Sequence, residues 1–562
     1  MPALPNPLSE SAALALAHPG SGTTSSFFPG FAGGIEPISA SRIYIFGGIA
    51  LIVVGLFFGD IFAVFILHQN AARQGEALMT AASAIAHGNQ NLVDQSFGRL
   101  GGLLEDRGTK VDAHVHMIDA GYLALLLALA QPYVTLSPRV RKLLAASFIL
   151  ASICFPVGIF LIHYLGLAGS PFSAIGWASV LADAAGAVLI AILLVQLWGF
   201  WKFLRGEVEN HVVSAAFDGG EDGMPRRALL TGGTILILLG FIQGAYYAGT
   251  MLYQHERMET EILHRLTGSA SAGNLNAAAS EIGAFGNLAG TRAVNIAAHS
   301  HIIEFGLLAL LLSFIQPYVF LAEKWKRRWV ELFLGGSVVL PVFVLLEVRF
   351  GLIAGGIADI GGLMIIVALI AMLVGIVRYS GAVEAQAKPS AQSSYDRPSM
   401  SPSRRVLIFG AMALAACGML YGLHYALFVE HQTLDRMGGS LAASFSAAAG
   451  RNLDQSQIAL QRYAETKYDY VRQVDAHSHW TGLAMLMFAL GVIFGRVHFE
   501  ESMRTLVAWG LLIGSVMFPA AVLFQTYNHG AFLWKACSIA GSGIVIVALA
   551  ATAWGFARPR LS

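Results

Sequence analysis

The stretch "AHVHMIDAGYLALLLALAQPYV", residues 113–134, fixes the architecture because the chain repeats it. "AHSHIIEFGLLALLLSFIQPYV" stands at 298–319, and the weaker copy "AHSHWTGLAMLMFALGVIF" at 476–494. The first histidines, His114, His299 and His477, are spaced by 185 and 178 residues. Self-similarity at long, nearly constant period marks duplicated units. Each copy begins with a His-x-His pair and then becomes almost wholly apolar for about the length that crosses a bilayer core as a helix.

Working outward, twelve such segments are predicted: 43–67, 113–134, 143–165, 175–200, 229–252, 298–321, 330–352, 355–377, 406–428, 477–494, 506–527 and 534–556. They fall into three fours. The third span of each four carries "FPVGIF", "LPVFVL" or "FPAAVL", with Pro156, Pro341 and Pro519. The expected fold is all-α: a polytopic membrane protein of twelve transmembrane helices, arranged as three tandem four-helix units about a pseudo-threefold axis, with helical extracytoplasmic excursions. Three units of even span number all cross in the same sense, and a heterologous contact must close into a ring or run on. The predicted division is a disordered tail (1–41), unit 1 (42–205), a linker (206–227), unit 2 (228–378), a Ser/Pro-rich linker (379–405), unit 3 (406–557) and a short tail (558–562).

Composition agrees. Of 562 residues, 56% are hydrophobic and 12% charged, where a soluble domain carries about 25% charged residues. The net charge of +1 gives no basic excess for nucleic acid. The three cysteines lie far apart and form no CxxC, which excludes a c-type haem attachment motif and gives no support for a disulfide framework. Short-loop charge sets orientation. Arg139, Arg141 and Lys142 join the second and third spans of unit 1, Lys324, Lys326, Arg327 and Arg328 do so in unit 2, and Arg496 and Arg504 in unit 3. The joins between third and fourth spans are uncharged, as in "GLAGSPFSA". Both termini are therefore expected in the cytoplasm of a bacterial inner membrane, with the excursions outside as a polar cap.

The six candidate ligands are His114, His116, His299, His301, His477 and His479, placed at the outer end of the second helix of each unit. Residues two apart on a helix point about 200° apart. One pair therefore faces two neighbours, and three pairs around a ring can form shared inter-unit sites. Asp119 and Glu304 follow the second histidine by one turn, and Asp112 and Asp475 precede the first. Carboxylates beside imidazoles are a common outer shell of metal-binding histidines. His68, His255 and His431, in "LHQ", "QHE" and "EHQ", are possible extra ligands or headgroup-level anchors. Neutral imidazole suits haem iron or copper. A structural reading stands beside this one, in which such histidines bond to headgroups, water or a loop carbonyl.

The pattern "AHSHIIEFGLLALL" resembles the haem-binding tenth helix of the haem–copper oxidase and nitric oxide reductase catalytic subunit, whose AHxH histidines bind two different haems. That family also has twelve spans in pseudo-threefold fours, with ligands on the second, sixth and tenth helices. The resemblance implies that His477 and His479 match the tenth-helix pair, that His114 or His116 matches the low-spin haem ligand of the second helix, and that His299 or His301 lies where the sixth-helix copper ligand lies. It covers about a dozen residues per copy. The family's sixth-helix copper motif and its seventh-helix His-His pair have no counterpart in 229–352, where Glu347 stands instead. The expectation is accordingly a b-type haem, or copper or another transition metal, in a redox or electron-transfer protein without a complete oxygen-reducing binuclear centre. Its partners are expected to be the lipid bilayer and a periplasmic electron carrier or other subunits of a respiratory complex. A transporter or channel with a His/carboxylate vestibule and a structural anchor for other subunits are the alternatives.

Overall fold

The computed structural model describes residues 39–165, 180–204, 223–378, 400–529 and 531–557. Residues 1–38 of the expected N-terminal tail, most of both linkers and the C-terminal tail lie outside the described residues; the last residues of that tail, from Ala40, already belong to the first helix. Every element is helical, with no strand among the described residues. Among the described residues twelve helices are long and apolar enough to cross a membrane, so the chain is a multi-pass membrane protein.

Unit 1 comprises α1 (Ala40–Ile61), α2 (Leu67–Ala86), α3 (Gln90–Ala130), α4 (Pro138–Leu165) and α5 (Val180–Leu204). Unit 2 repeats them as α6 (Gly223–Tyr246), α7 (Tyr253–Ser271), α8 (Leu275–Ile315), α9 (Glu323–Phe350) and α10 (Leu352–Arg378). Unit 3 does so as α11 (Pro402–Tyr425), α12 (His431–Ala449), α13 (Leu453–Ile493), α14 (Glu501–Phe524) and α15 (Phe532–Ala557). The ring closes: α5 packs on α6, α10 on α11, and α15 returns to α1. At that last joint Ser542 Oγ donates to Asp60 Oδ2 at 3.0 Å. The long helices α3, α8 and α13 touch one another around the axis, where Leu125, Leu312 and Leu486 are fully buried.

Each long helix has 41 residues. At 1.5 Å per residue it runs about 60 Å, twice the hydrocarbon thickness. The His-x-His pairs are thus in mid-helix, which corrects their expected place at a helix end. Hydropathy changes at the histidines, but backbone hydrogen bonding does not stop there. The polar half continues into the cap, where it pairs with α2, α7 or α12 as an antiparallel hairpin.

The hairpins share one turn chemistry. Asn89, Asn274 and Asn452 cap the long helices, their side chains accepting from Leu92, Ala277 and Gln455 N–H groups. The residue before each cap is left-handed: Gly88 at φ 68°, Gly273 at φ 72° and Arg451 at φ 60°. The cap has its own core, joining units through Phe97 of unit 1 against Phe445 of unit 3, ring centres 5.9 Å apart, with Leu266 and Ile282 of unit 2 in the same cluster.

At the far end, Tyr133 and Tyr318 are buried rather than placed in the lipid interface as their "QPYV" context suggests. Arg226 of unit 2 donates to Tyr133 Oη at 2.8 Å, and Arg404 of unit 3 to Tyr318 Oη at 2.9 Å. The tyrosines serve as inter-unit joints.

Candidate functional site: an inter-unit histidine ring

The first span of each unit reaches the cap through a π-helical turn: Phe62–Ile66, Tyr247–Leu252 and Ala426–Glu430. Such turns disturb the regular helix ladder and often accompany functional sites. Just before each lies a Gly-x-x-x-Gly, namely Gly55/Gly59, Gly240/Gly244 and Gly418/Gly422. The first glycine of each pair offers its carbonyl to the first histidine of the same unit. His114 Nδ1 donates to Gly55 O at 2.7 Å, His299 Nδ1 to Gly240 O at 2.9 Å, and His477 Nδ1 to Gly418 O at 2.8 Å. A carbonyl can only accept, so Nδ1 carries the proton and Nε2 keeps a free lone pair. The second glycine makes room for the ring. A Cβ at Gly59, Gly244 or Gly422 would stand 2.5, 2.7 or 2.6 Å from the same Nδ1 atoms, far inside contact distance.

The second histidines turn the other way. His116 packs edge-on against Phe155 at 4.8 Å, and His479 against Phe518 at 4.6 Å. Unit 2 has Leu340 at the equivalent position, and His301 stacks on Phe305 of its own helix instead, 5.5 Å away. Its Nδ1 is buried without a hydrogen-bond partner, 3.9 Å from Glu304 Oε2.

Across the joints the histidines meet in order. His116 of unit 1 interacts electrostatically with His299 of unit 2, His301 of unit 2 with His477 of unit 3, and His479 of unit 3 with His114 of unit 1. The His301 and His477 ring centres are 6.3 Å apart. The His301 and His477 rings thus face each other across the unit 2–unit 3 joint, and His116 with His299 and His479 with His114 lie within electrostatic reach at the other two joints. They retain accessible surface, 23% for the His301 side chain and 25% for Glu304, although they lie among the central helices.

The acidic candidates divide. Asp119 and Glu304 interact with each other, and with Tyr122, one turn deeper than the ring. The third position of that layer is Gly482, and Tyr122 Oη comes within 3.6 Å of where its Cβ would stand. Asp112 faces Arg292 of unit 2, and Asp475 lies 3.6 Å from Arg472. Backbone carbonyls, rather than these acids, orient the first histidines. Among the described residues no group of three or more His, Cys, Asp and Glu side chains is gathered closely enough to hold a metal ion alone.

Of the outer trio, only His255 has a described side chain. The side chains of His68 and His431, like that of His163, lie outside the described residues. His255 is buried against Tyr247, with Nδ1 3.4 Å from the phenol oxygen. The paired glycines and the left-handed turn residues both keep the 185- and 178-residue spacing. In that register Tyr253, not His255, corresponds to His68 and His431. The three-letter likeness of "LHQ", "QHE" and "EHQ" is a coincidence of composition. The glycine pairs, by contrast, recur at a fixed distance before each His-x-His, a signal visible in the sequence itself. No family model matches the chain, and neither does any curated protein.

Proposed function

We propose that this protein is a haem-binding redox or electron-transfer protein of the bacterial inner membrane, with its termini cytoplasmic and its cap facing a periplasmic electron carrier or other subunits of a respiratory complex. The observation that carries the reading is the threefold Nδ1–carbonyl bond. It fixes the tautomer in which Nε2 can bind a metal, and it orients the ring as outer-shell partners of ligating histidines do. Glycine cradles and the buried, unpartnered Nδ1 of His301 fit the same purpose. Two imidazoles on opposite sides of one ion, with metal–nitrogen bonds of about 2 Å, have ring centres about 6 Å apart, close to the His301–His477 separation.

Haem suits these pairs better than copper. A porphyrin supplies four nitrogens of its own and asks two of the protein, whereas a protein-only copper site needs three or more ligands together. The pairs His116/His299, His301/His477 and His479/His114 are the ligand candidates. When bound, a bis-imidazole b-type haem supplies reversible one-electron transfer. Phe155 and Phe518 pack against the second rings and hold them against rotation. Asp119 and Glu304, a polar pair one turn beneath the ring, favour the transport alternative.

The reading is tested by the visible spectrum of purified protein. Reduced-minus-oxidised Soret and α bands are expected, falling stepwise in His114→Ala, His299→Ala and His477→Ala. Protein without haem or copper by pigment and metal analysis, yet carrying solute flux in liposomes, would establish the transport alternative instead.

A further inference from the structure

One joint of the ring differs from the other two in the cap just beyond the histidines. Arg107 of unit 1 lies within electrostatic reach of Arg472, Asp475 and Tyr463 of unit 3, and Lys467 of unit 3 within reach of Arg107. Asp475 reaches His114, and Arg472 reaches His479, so the cluster adjoins the His479–His114 pair. Lys467 is held from behind: Nζ donates to Gln74 Oε1 at 3.1 Å, Gln74 bonds to Asn70, and Asn70 Nδ2 donates to Leu103 O at 3.0 Å. Arg472 is 12% exposed and lies 3.6 Å from Asp475. Arg107 Nε is buried and donates to no described residue. Of the other described cations and acids nearby, Lys110 pairs with Asp106, and Asp469 with His529.

Among the described residues, Arg107 and Arg472 thus share Asp475, and Lys467 adjoins Arg107 inside the cap. The threefold register removes a packing explanation. The positions of Lys467 are Ala289 and Leu104 in units 2 and 1, those of Arg472 are Val294 and Thr109, and those of Arg107 are Arg292 in unit 2 and Tyr470 in unit 3. At the Lys467 and Arg472 positions the same hairpin folds with small or neutral residues in the other two units, whereas the Arg107 position keeps an arginine in unit 2 that faces Asp112. Like charges brought together away from water cost stability unless a counter-charge completes them, and Arg forks match two-oxygen anions.

We propose that Arg107, Lys467 and Arg472 form an oxyanion site in the cap, taking a carboxylate or phosphate group next to the His479–His114 joint. The anion comes either free from solution or as the carboxylate edge of a haem held by that pair; only the second source rests on the function proposed above.

The test melts the purified full-length protein at constant ionic strength while chloride is replaced by inorganic phosphate, and measures its bound haem. With a free anion, phosphate raises the wild-type Tm by roughly 2 °C and leaves Lys467→Met unmoved. With a haem carboxylate, phosphate has no effect, while Lys467→Met and Arg107→Met lose haem about tenfold and Lys467→Arg keeps it. In both cases Lys467→Met, freed of its repulsion, melts no lower than wild type when both lack the anion. Wild type and both Met variants responding alike to phosphate and holding equal haem would overturn the proposal. So would Lys467→Met melting lower without the anion. A wild-type protein free of haem removes the haem source and leaves the phosphate melt to decide.

Discussion

The glycine that cradles the first histidine of each unit gives the sharpest test. In Gly422→Ala the new methyl would stand 2.6 Å from His477 Nδ1, with the ring's carbonyl partner Gly418 one turn away on the same helix. Either the ring leaves its carbonyl or α11 moves from α13. Loss of the hydrogen bond costs about 0.5–1.5 kcal/mol, and forcing a carbon into a packed joint costs about 1–3 kcal/mol. The better helix propensity of alanine returns about 0.5–1 kcal/mol. A net loss of about 1–3 kcal/mol is expected, and ligand affinity at a histidine deprived of its orienting partner falls roughly 10- to 100-fold. The control is Gly101→Ala in the cap part of α3, where a Cβ meets nothing within 4 Å, so the propensity gain of about 0.5–1 kcal/mol appears alone. Thermal melts and haem spectra of Gly59→Ala, Gly244→Ala and Gly422→Ala, each against Gly101→Ala, read both effects and rank the three pairs. Cradle variants as stable and as pigmented as the control would refute the reasoning that these glycines exist to seat imidazoles.

Arg451 holds the left-handed position that Gly88 and Gly273 occupy in the other hairpins. Relief of that conformation, worth roughly 1–2 kcal/mol less the extra chain entropy of glycine, makes Arg451→Gly more stable in a thermal melt. Tyr133→Phe leaves the guanidinium of Arg226 without its phenol acceptor at a buried joint, and a loss of about 1–3 kcal/mol is expected in denaturation, with Tyr318→Phe behaving alike at Arg404. Burial raises the Glu259 carboxyl above its ordinary value of 4.5, and Arg292, 3.9 Å away, pulls it only partly back. A carboxyl raised on folding favours the folded state at low pH, and that advantage is lost as pH rises from about 4.5 through the folded value. Glu259→Gln therefore stabilises the protein at pH 7, and the gain disappears near pH 4 in a pH series of melts.

The sequence by itself determined the number of crossings, the three units and the positions of the six histidines. Apolar runs of bilayer length can only be satisfied as helices, and duplication leaves a period that needs no coordinates. It also determined that each pair must split between two neighbours, because the helix turns about 100° per residue. Only the tertiary structure decided which atoms they meet. The carbonyl of each first histidine is 59 residues away, on another helix, and His301 meets His477 across a unit boundary. Such contacts depend on how helices cross, which hydrophobic periodicity leaves open. The boundary placed at the histidines marked a change of solvent, not the end of a helix, since the backbone ladder of α3, α8 and α13 is satisfied internally in lipid and in water alike. Local composition alone suits Tyr133 and Tyr318 to an interface; the partner arginine that meets each one arrives from the next unit, 93 and 86 residues on.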